Sequence, residues 1–418
     1  MSKMATFAYL KSMPKITCKH FKQCGGCALL DLAYEEQVSK KAARLQELLK
    51  EFWTQKIAVT KTDHPEFFRN KVELGFCRQP IWKEPFDKKA KRDKTVPLEF
   101  EQCFGFKLKG RWDRAVDIEE CHTFDPQMIE LVRAVRAWAQ AENLEYYDHR
   151  KHTGILRHLM LRIGKNTGEQ MVVLFVTDDI PEKTFVQAVQ SVWPKANILV
   201  AVNTSLADTA APEILRVLKG QDHICEKIIL TAPDGNKEKE VIFTLAAQAF
   251  FQTNTLTAQK MYSRVRSLVK QISPKIIYDL YGGAGSFSLS CADLCEKSIC
   301  VESVAPAIYN GIENAKLNGV KNVQFFCAKV EDFVRQQPIE KKDALIIVDP
   351  PRSGMHPRAA KAVAESGVAN VLYISCNPVT LANDLKVLTQ HYKVLDVEAF
   401  DFFPHTEHIE TLVQLKLK

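Results

Sequence analysis

The stretch Asn370-Val371-Leu372-Tyr373-Ile374-Ser375-Cys376-Asn377-Pro378 is an apolar, β-branched and aromatic run that stops at a cysteine, then Asn-Pro. Such a run predicts a buried strand that delivers a thiol to the loop at its end, with a new helix opening after it. In open α/β sheets ligands gather outside the carboxyl ends of the strands. A cysteine there is a candidate nucleophile, although an isolated cysteine is more often a packing residue. Its neighbours decide between the two.

Outward from this strand, β-like runs at 276–281, 298–302, 322–327 and 344–349 alternate with helical patterns opening at Ser286, Ala305, Val330 and Pro357. That alternation predicts a parallel sheet covered on both faces. The first turn, Asp279-Leu280-Tyr281-Gly282-Gly283-Ala284-Gly285-Ser286, pairs an acid with glycines that let a ligand approach the backbone. It lacks the third glycine of the dinucleotide fingerprint. Glu302 ends the second strand, where nucleoside-binding sheets place the acid that holds ribose hydroxyls. Turn and acid together point to adenosine without pyrophosphate. Asp349-Pro350-Pro351-Arg352 closes the fourth strand, and the tail, 393–403 and 409–417, alternates as two long strands with Glu410 at the start of the second.

Upstream, Cys18, Cys24 and Cys27 lie in Cys18-Lys19-His20-Phe21-Lys22-Gln23-Cys24-Gly25-Gly26-Cys27. The two glycines let successive sulfurs turn toward one centre, which a metal needs and a core does not. Three thiolates need a fourth ligand, and the next cysteines are Cys77, Cys103 and Cys121. The absence of a second C-x-x-C tilts the reading from zinc to iron–sulfur. Residues 31–52 read as an amphipathic helix, and 57–230 as short strands with an intervening helix at 126–142, a mixed, antiparallel-rich middle domain. Trp82 to Lys94 is a lysine-rich loop that could track phosphates or be a solvated tip. Arg69, Lys71, Arg157, His158 and Arg162 sit in or beside apolar strand patterns, where a cation needs an internal partner or a polyanion.

The 418 residues allow two or three domains, and the net charge of +7 with a pI near 8.7 is compatible with a polyanionic partner. No signal-peptide core and no apolar run of bilayer-spanning length stands in the sequence, so a cytoplasmic protein without membrane association is expected. Twelve cysteines then argue for reduced thiols, metal ligation or catalysis.

These pieces together resemble the S-adenosylmethionine-dependent RNA 5-methyluridine methyltransferases over nearly the whole chain. The matching motifs are the cysteine run 18–27, Phe68-Arg69-Asn70-Lys71, Val116 to Cys121, Gly154 to His158, Phe251-Gln252-Thr253-Asn254, Asp279 to Gly285, Asp349-Pro350, Ser375-Cys376-Asn377-Pro378 and Phe403 to Glu410. The resemblance implies a Rossmann-like class I methyltransferase domain of α/β type, a parallel sheet with an antiparallel closing hairpin, at 241–418. Before it would stand an iron–sulfur segment and helix at 1–56 and an α+β RNA-binding domain at 57–240. It implies Cys18, Cys24, Cys27 and Cys121 as ligands of a 4Fe-4S cluster, with Cys77 and Cys103 left out. Gln252, Tyr281, Glu302 and Asp349, with Ser286 as a further candidate, would surround S-adenosyl-L-methionine. Cys376 would be the nucleophile and Glu410 the base, with Glu407 or the neighbouring histidines as possible assistants. Gly282 stands where many members have cysteine, a change expected to cost nothing in a loop. Only seventeen residues precede Cys18, too few for the small RNA-binding barrel that some members carry there.

The expected reaction is methyl transfer to carbon 5 of a uridine, in 23S ribosomal RNA with transfer RNA as alternative, by a monomer without an obligate protein partner. Uracil carbon 5 is a poor nucleophile until a thiolate adds at carbon 6, and a base must later take the carbon-5 proton so that the thiolate can leave. The target base must be flipped out or unpaired. Amino-group methyltransferases place an aromatic after a related Asp-Pro-Pro, so Arg352 counts against that chemistry. A 5-methylcytosine enzyme and a non-catalytic RNA-binding or folding factor that keeps the fold are the rivals; the intact Cys376 and Glu410 weigh against the second.

Overall fold

The structure, a computed structural model, describes residues 16–81, 99–206 and 214–418. The lysine-rich loop from Trp82 to Lys94 lies outside the described residues. In chain order come helix α1 (Tyr34–Leu49) and the short strand β1 (Ala58–Thr60). Next are β2 (Lys71–Pro80), β3 (Phe100–Gly105), helix α2 (Met128–Ala141), β4 (Leu156–Ile163), β5 (Gln170–Val176), α3 (Glu182–Gln190), β6 (Asn197–Val202) and β7 (Ile214–Lys219). A hairpin, β8 (His223–Thr231) and β9 (Lys237–Ala246), leads to α4 (Thr255–Ile272). The last half runs β10 (Ile276–Leu280), α5 (Ser286–Cys291), β11 (Lys297–Glu302), α6 (Ala305–Leu317), β12 (Val323–Cys327), α7 (Val330–Gln336), β13 (Ala344–Val348), α8 (Pro357–Glu365), β14 (Asn370–Ser375), α9 (Pro378–Leu388), β15 (Tyr392–Phe400) and β16 (Glu410–Leu417).

The predicted alternation gives an eight-stranded sheet in the order β1-β15-β16-β14-β13-β10-β11-β12. Strands β10 to β14 are parallel, and β16 inserts antiparallel between β14 and β15. Its central strands are apolar on both faces because helices cover both: Ala344–Val348 is buried at every position. One face packs on α4 and the β8–β9 hairpin through Val265, Leu268, Ile277 and Leu345. The other packs on α1, α8 and α9 through Leu45, Leu49, Val363 and Leu385.

A second, six-stranded sheet has the order β3-β2-β4-β5-β6-β7, antiparallel except for the β5–β6 pair. Met160, Met171, Val173 and Phe175 on one of its faces share a core with the hairpin and α4, so hairpin and helix form the layer between the two sheets. Two details fall outside the expected division at residues 56 and 240. Ala58–Thr60 pairs with Glu398–Phe400 as an edge strand of the eight-stranded sheet, and the β8–β9 hairpin runs across position 240. Three residues carry too little alternation to reveal such an edge strand.

The basic residues in strand patterns mostly find internal partners. Arg157 and Arg162, 1% and 2% exposed, donate to the carbonyls of Asn203 and Ala249, and Lys71 pairs with Glu73. No helix among the described residues is long and apolar enough to cross a membrane.

Candidate active site

Parallel strands put their carboxyl ends on one edge of a sheet, and the register fixes how closely those ends align. Leu280 at the end of β10 pairs with Val301 and Val348, and Val348 with Tyr373. Tyr281, Glu302, Asp349 and Cys376 therefore emerge side by side. Because β16 is antiparallel to β14, with Ser375 opposite Thr411, the start of β16 reaches the same edge and adds Glu410. A cavity of about 1580 Å³ opens there, and Gln252, Tyr281, Ser286, Glu302, Asp349, Cys376 and Glu410 all line it.

The Cys376 loop is built by its neighbours. Asn377 caps α9, its Oδ1 accepting from the Val379 N–H at 3.2 Å, while Pro378 takes the first helical turn, where its missing N–H costs nothing. Asn377 Nδ2 donates to the Arg352 carbonyl at 2.9 Å, which ties this loop to the one after Asp349. The Ser375 hydroxyl closes the turn by accepting from the Asn377 N–H at 3.1 Å. Asn377 thus acts as cap and clamp together.

The electrostatics of this edge favour neutral groups. Burial, with the carboxyls of Glu410 and Asp349 alongside, pushes the Cys376 thiol up to about 11 against a downward pull from Arg352. Burial first and Asp349 second drive Glu410 well above the usual carboxylate range, and its Oε2 has no hydrogen-bond partner. Asp349 is pushed up to about 7 by burial and by Asp279. Asp279 rises to about 6, burial outweighing bonds from the Ser288 hydroxyl at 2.8 Å and N–H at 3.0 Å. Asp279, Asp349 and Glu410, crowded together and in no ion pair among the described residues, form a place for a positively charged ligand.

The rest of the cavity suits the adenosine half of such a ligand. Glu302 Oε2 accepts from the Gly283 N–H at 3.2 Å and Oε1 from the Val304 N–H at 2.8 Å, which orients the carboxylate at the turn. Gly283 has φ +55° and open space where a side chain would stand, a bare stretch of backbone beside that acid. Gln252 is placed by Asn70, whose Nδ2 donates to the Gln252 carbonyl at 2.8 Å and to Thr255 Oγ1 at 2.9 Å. Asn254 caps α4 and donates to the Phe402 carbonyl at 3.0 Å, so the Phe-Gln-Thr-Asn motif joins the middle domain to the closing hairpin.

The sequence profile of the family described as tRNA (Uracil-5-)-methyltransferase matches residues 215–418. An uncharacterized RNA methyltransferase of Caldanaerobacter subterraneus is 32% identical over 406 residues, covering 94% of this chain and 83% of the relative. One from Bacteroides thetaiotaomicron is 30% identical over 413 residues, covering 96% and 87%. Among solved structures, Pyrococcus abyssi tRNA (uracil-54, C5)-methyltransferase in complex with S-adenosyl-L-homocysteine has a TM-score of 0.74 at 28% identity, over 94% of this chain and 86% of that one. The chain belongs to the RNA uracil-5 methyltransferases. It is an S-adenosylmethionine-dependent RNA (uracil-C5)-methyltransferase.

In this methyltransferase the four predicted cluster cysteines come within electrostatic reach of one another. Burial and the neighbouring thiols push Cys24 to about 11 and Cys27 to about 12, each feeling Cys18 and Cys121. Among the described residues no group of three or more His, Cys, Asp or Glu side chains is gathered for a single metal ion. Cys77 and Cys103 lie apart from this group, facing each other across β2 and β3.

The glycine at 282 suits its surroundings for a reason outside the loop: a Cβ there would stand 2.5 Å from Cys300 Sγ and 3.0 Å from Asp279 Cγ. The buried Cys300 on the next strand, a contact no sequence signal announced, is what crowds a side chain there. Sequence reasoning also missed Tyr262, a buried α4 residue that lines the cavity beside Ser286. It carried no signal, because its spacing is that of an ordinary core position. Arg69 lines the cavity and also feels Cys24, Cys27 and Cys121, so it stands between the two sites.

Proposed function

We propose that Cys376 is the nucleophile and Glu410 the base of this methyltransferase, acting on a uridine flipped into the cavity. The observation that carries the reading is the meeting of Cys376, Glu410 and Asp349 at one sheet edge, each perturbing the next. Gln252, Tyr281, Ser286, Glu302 and Asp349 would hold S-adenosylmethionine. Bound there, that molecule supplies the electrophilic methyl group and a positive charge, which favours the ionised forms of the carboxyls and the thiol. Cys376, its proton released to solvent, then adds as the thiolate to carbon 6 of the uracil, and the carbon 5–carbon 6 π pair shifts toward oxygen 4 as an enolate that makes carbon 5 nucleophilic. After methyl transfer Glu410 takes the carbon-5 proton, the electron pair returns to the ring, and the carbon–sulfur bond breaks. Arg352 keeps the thiol from rising further.

Cys18, Cys24, Cys27 and Cys121 would ligate a 4Fe-4S cluster. In such a cluster each thiolate binds a different iron, so the ligand sulfurs stand farther apart than around one ion; four coupled thiols without a single-ion site fit that pattern. When bound, the cluster would supply a rigid staple between the amino-terminal loop and the middle domain. Anaerobically purified protein should be brown and contain iron and sulfide, and Cys121→Ala should bleach it; stoichiometric zinc without iron would reject the assignment.

The proposed substrate is 23S ribosomal RNA, on the resemblance of the motifs, in a cytoplasmic monomer whose segments 1–56, 57–240 and 241–418 divide cluster, RNA binding and catalysis. Transfer RNA is the second reading, favoured by the likeness to the Pyrococcus abyssi tRNA (uracil-54, C5)-methyltransferase. Mapping 5-methyluridine in total RNA with and without the gene tests both. A mark lost from 23S RNA supports the first, one lost from tRNA the second, and no loss overturns both.

A further inference from the structure

We infer that Trp112 and the cations around it form a second RNA-binding site, outside the catalytic cavity, on which an unpaired base of the substrate RNA stacks. This rests on RNA being the substrate, and it names the surface of the middle domain that grips it. Trp112 is 60% exposed at the tip of a hairpin whose arms meet at the Lys107–Ala115 bridge. An exposed tryptophan contributes nothing to the core, yet this one is held firmly. The Leu108 N–H donates to the Arg114 carbonyl at 3.0 Å, the Arg111 N–H to the Leu108 carbonyl at 2.9 Å, and Lys107 Nζ to the Trp112 carbonyl at 2.8 Å. The buried His149 ring meets the indole edge-on at 6.3 Å.

Charge selects the occupant. Two acids of this region, Asp113 and Asp148, are 6% and 4% exposed and turned inward. Asp113 is clamped by Arg111 at 2.8 Å and Arg150 at 2.6 Å, and Asp148 by Arg78 at 3.5 Å. The tip and the adjoining loop therefore present Lys109, Arg150 and Lys151 to solvent with the indole among them. A flat aromatic face within a cationic surface is the device by which proteins hold single-stranded nucleic acid: stacking takes the base and the cations take the phosphates. A protein partner would have met an apolar patch instead.

The hairpin is also joined to the catalytic half. Its Lys107 carbonyl accepts from the Gly25 N–H at 3.2 Å, and its Lys109 N–H donates to the Gln23 carbonyl at 2.8 Å, so it rests on the Cys18–Cys27 loop. That loop continues to Ala28 and Leu29, whose N–H groups donate to the His405 carbonyl in the segment before Glu410. A strand of RNA held on Trp112 is thus held in fixed relation to the cavity.

The test uses the full chain and a fluorescein-labelled twelve-nucleotide single-stranded RNA, with a duplex of the same composition for comparison. Trp112→Ala should weaken single-strand binding about tenfold, the size of one lost stacked base, while Trp112→Phe retains most of it. Arg150→Gln with Lys151→Gln should flatten the dependence of affinity on salt. S-adenosylmethionine binding by Trp112→Ala, measured calorimetrically, should match the parent and shows that the fold is intact. Unchanged single-strand affinity in Trp112→Ala would overturn the inference, and so would an equal loss for the duplex.

Discussion

At the scale of single residues, burial raises both the Cys376 thiol and the Glu410 carboxyl above their ordinary ranges. With Cys376 near 11, the thiolate fraction below that pH rises about tenfold per pH unit, so its alkylation by iodoacetamide should rise steeply from pH 7 to 10. Arg352→Ala removes the cation that lowers this value and should slow the reaction at every pH in that range. Peptide mass spectrometry separates Cys376 from the other cysteines; a pH-independent rate would contradict the assignment. Gly282 gives a second test. Gly282→Ala should cost about 1–3 kcal/mol by overpacking against Cys300, and less in a Cys300→Ala background, as urea unfolding would show. These two residues mark the limits of the sequence. The setting of Cys376 was legible because a strand, a cap and a proline are local signals. The reason for Gly282 lies on a neighbouring strand and was not.

At the scale of elements, helix α1 positions the loop that carries Glu410. Lys41 Nζ donates to Asp401 at 2.6 Å and to the Phe403 carbonyl at 2.8 Å, with both charged side chains buried. Gln37 Oε1 accepts from the His405 N–H at 2.8 Å, and His405 Nε2 donates to the Pro65 carbonyl at 2.9 Å. Burial lowers His405 to about 4, so its ring is neutral at working pH and its Nδ1 can accept from Gln37 Nε2 at 3.3 Å. Lys41→Met should cost about 3–5 kcal/mol, because Asp401 would be left as an unpaired buried charge, and it should lower turnover through the displaced Glu410. Lys41→Met with Asp401→Leu should recover much of that stability; a single variant as stable as the parent would refute the role. The sequence showed α1 as amphipathic and the tail as a hairpin. Its polar partners are separated by 360 positions, a distance no periodicity spans.

At the scale of the whole molecule, two sheets share one middle layer. Hairpin β8–β9 and α4 pack on both, so a substrate held by the six-stranded sheet is held relative to the catalytic edge. The eight-stranded sheet was readable from alternating runs between 276 and 375, and the middle domain from its short strands. The shared layer was not, since its apolar residues read the same whichever sheet they face. The proposed catalysis turns on a bond between Cys376 and carbon 6 of a uracil. It is tested most directly by incubating Glu410→Gln with total RNA and S-adenosylmethionine, digesting the RNA, and mapping the adduct by peptide mass spectrometry. A methylated uridine nucleotide attached to Cys376, absent from Cys376→Ala, is the predicted result. Full turnover without any adduct, or an adduct on another cysteine, would contradict it.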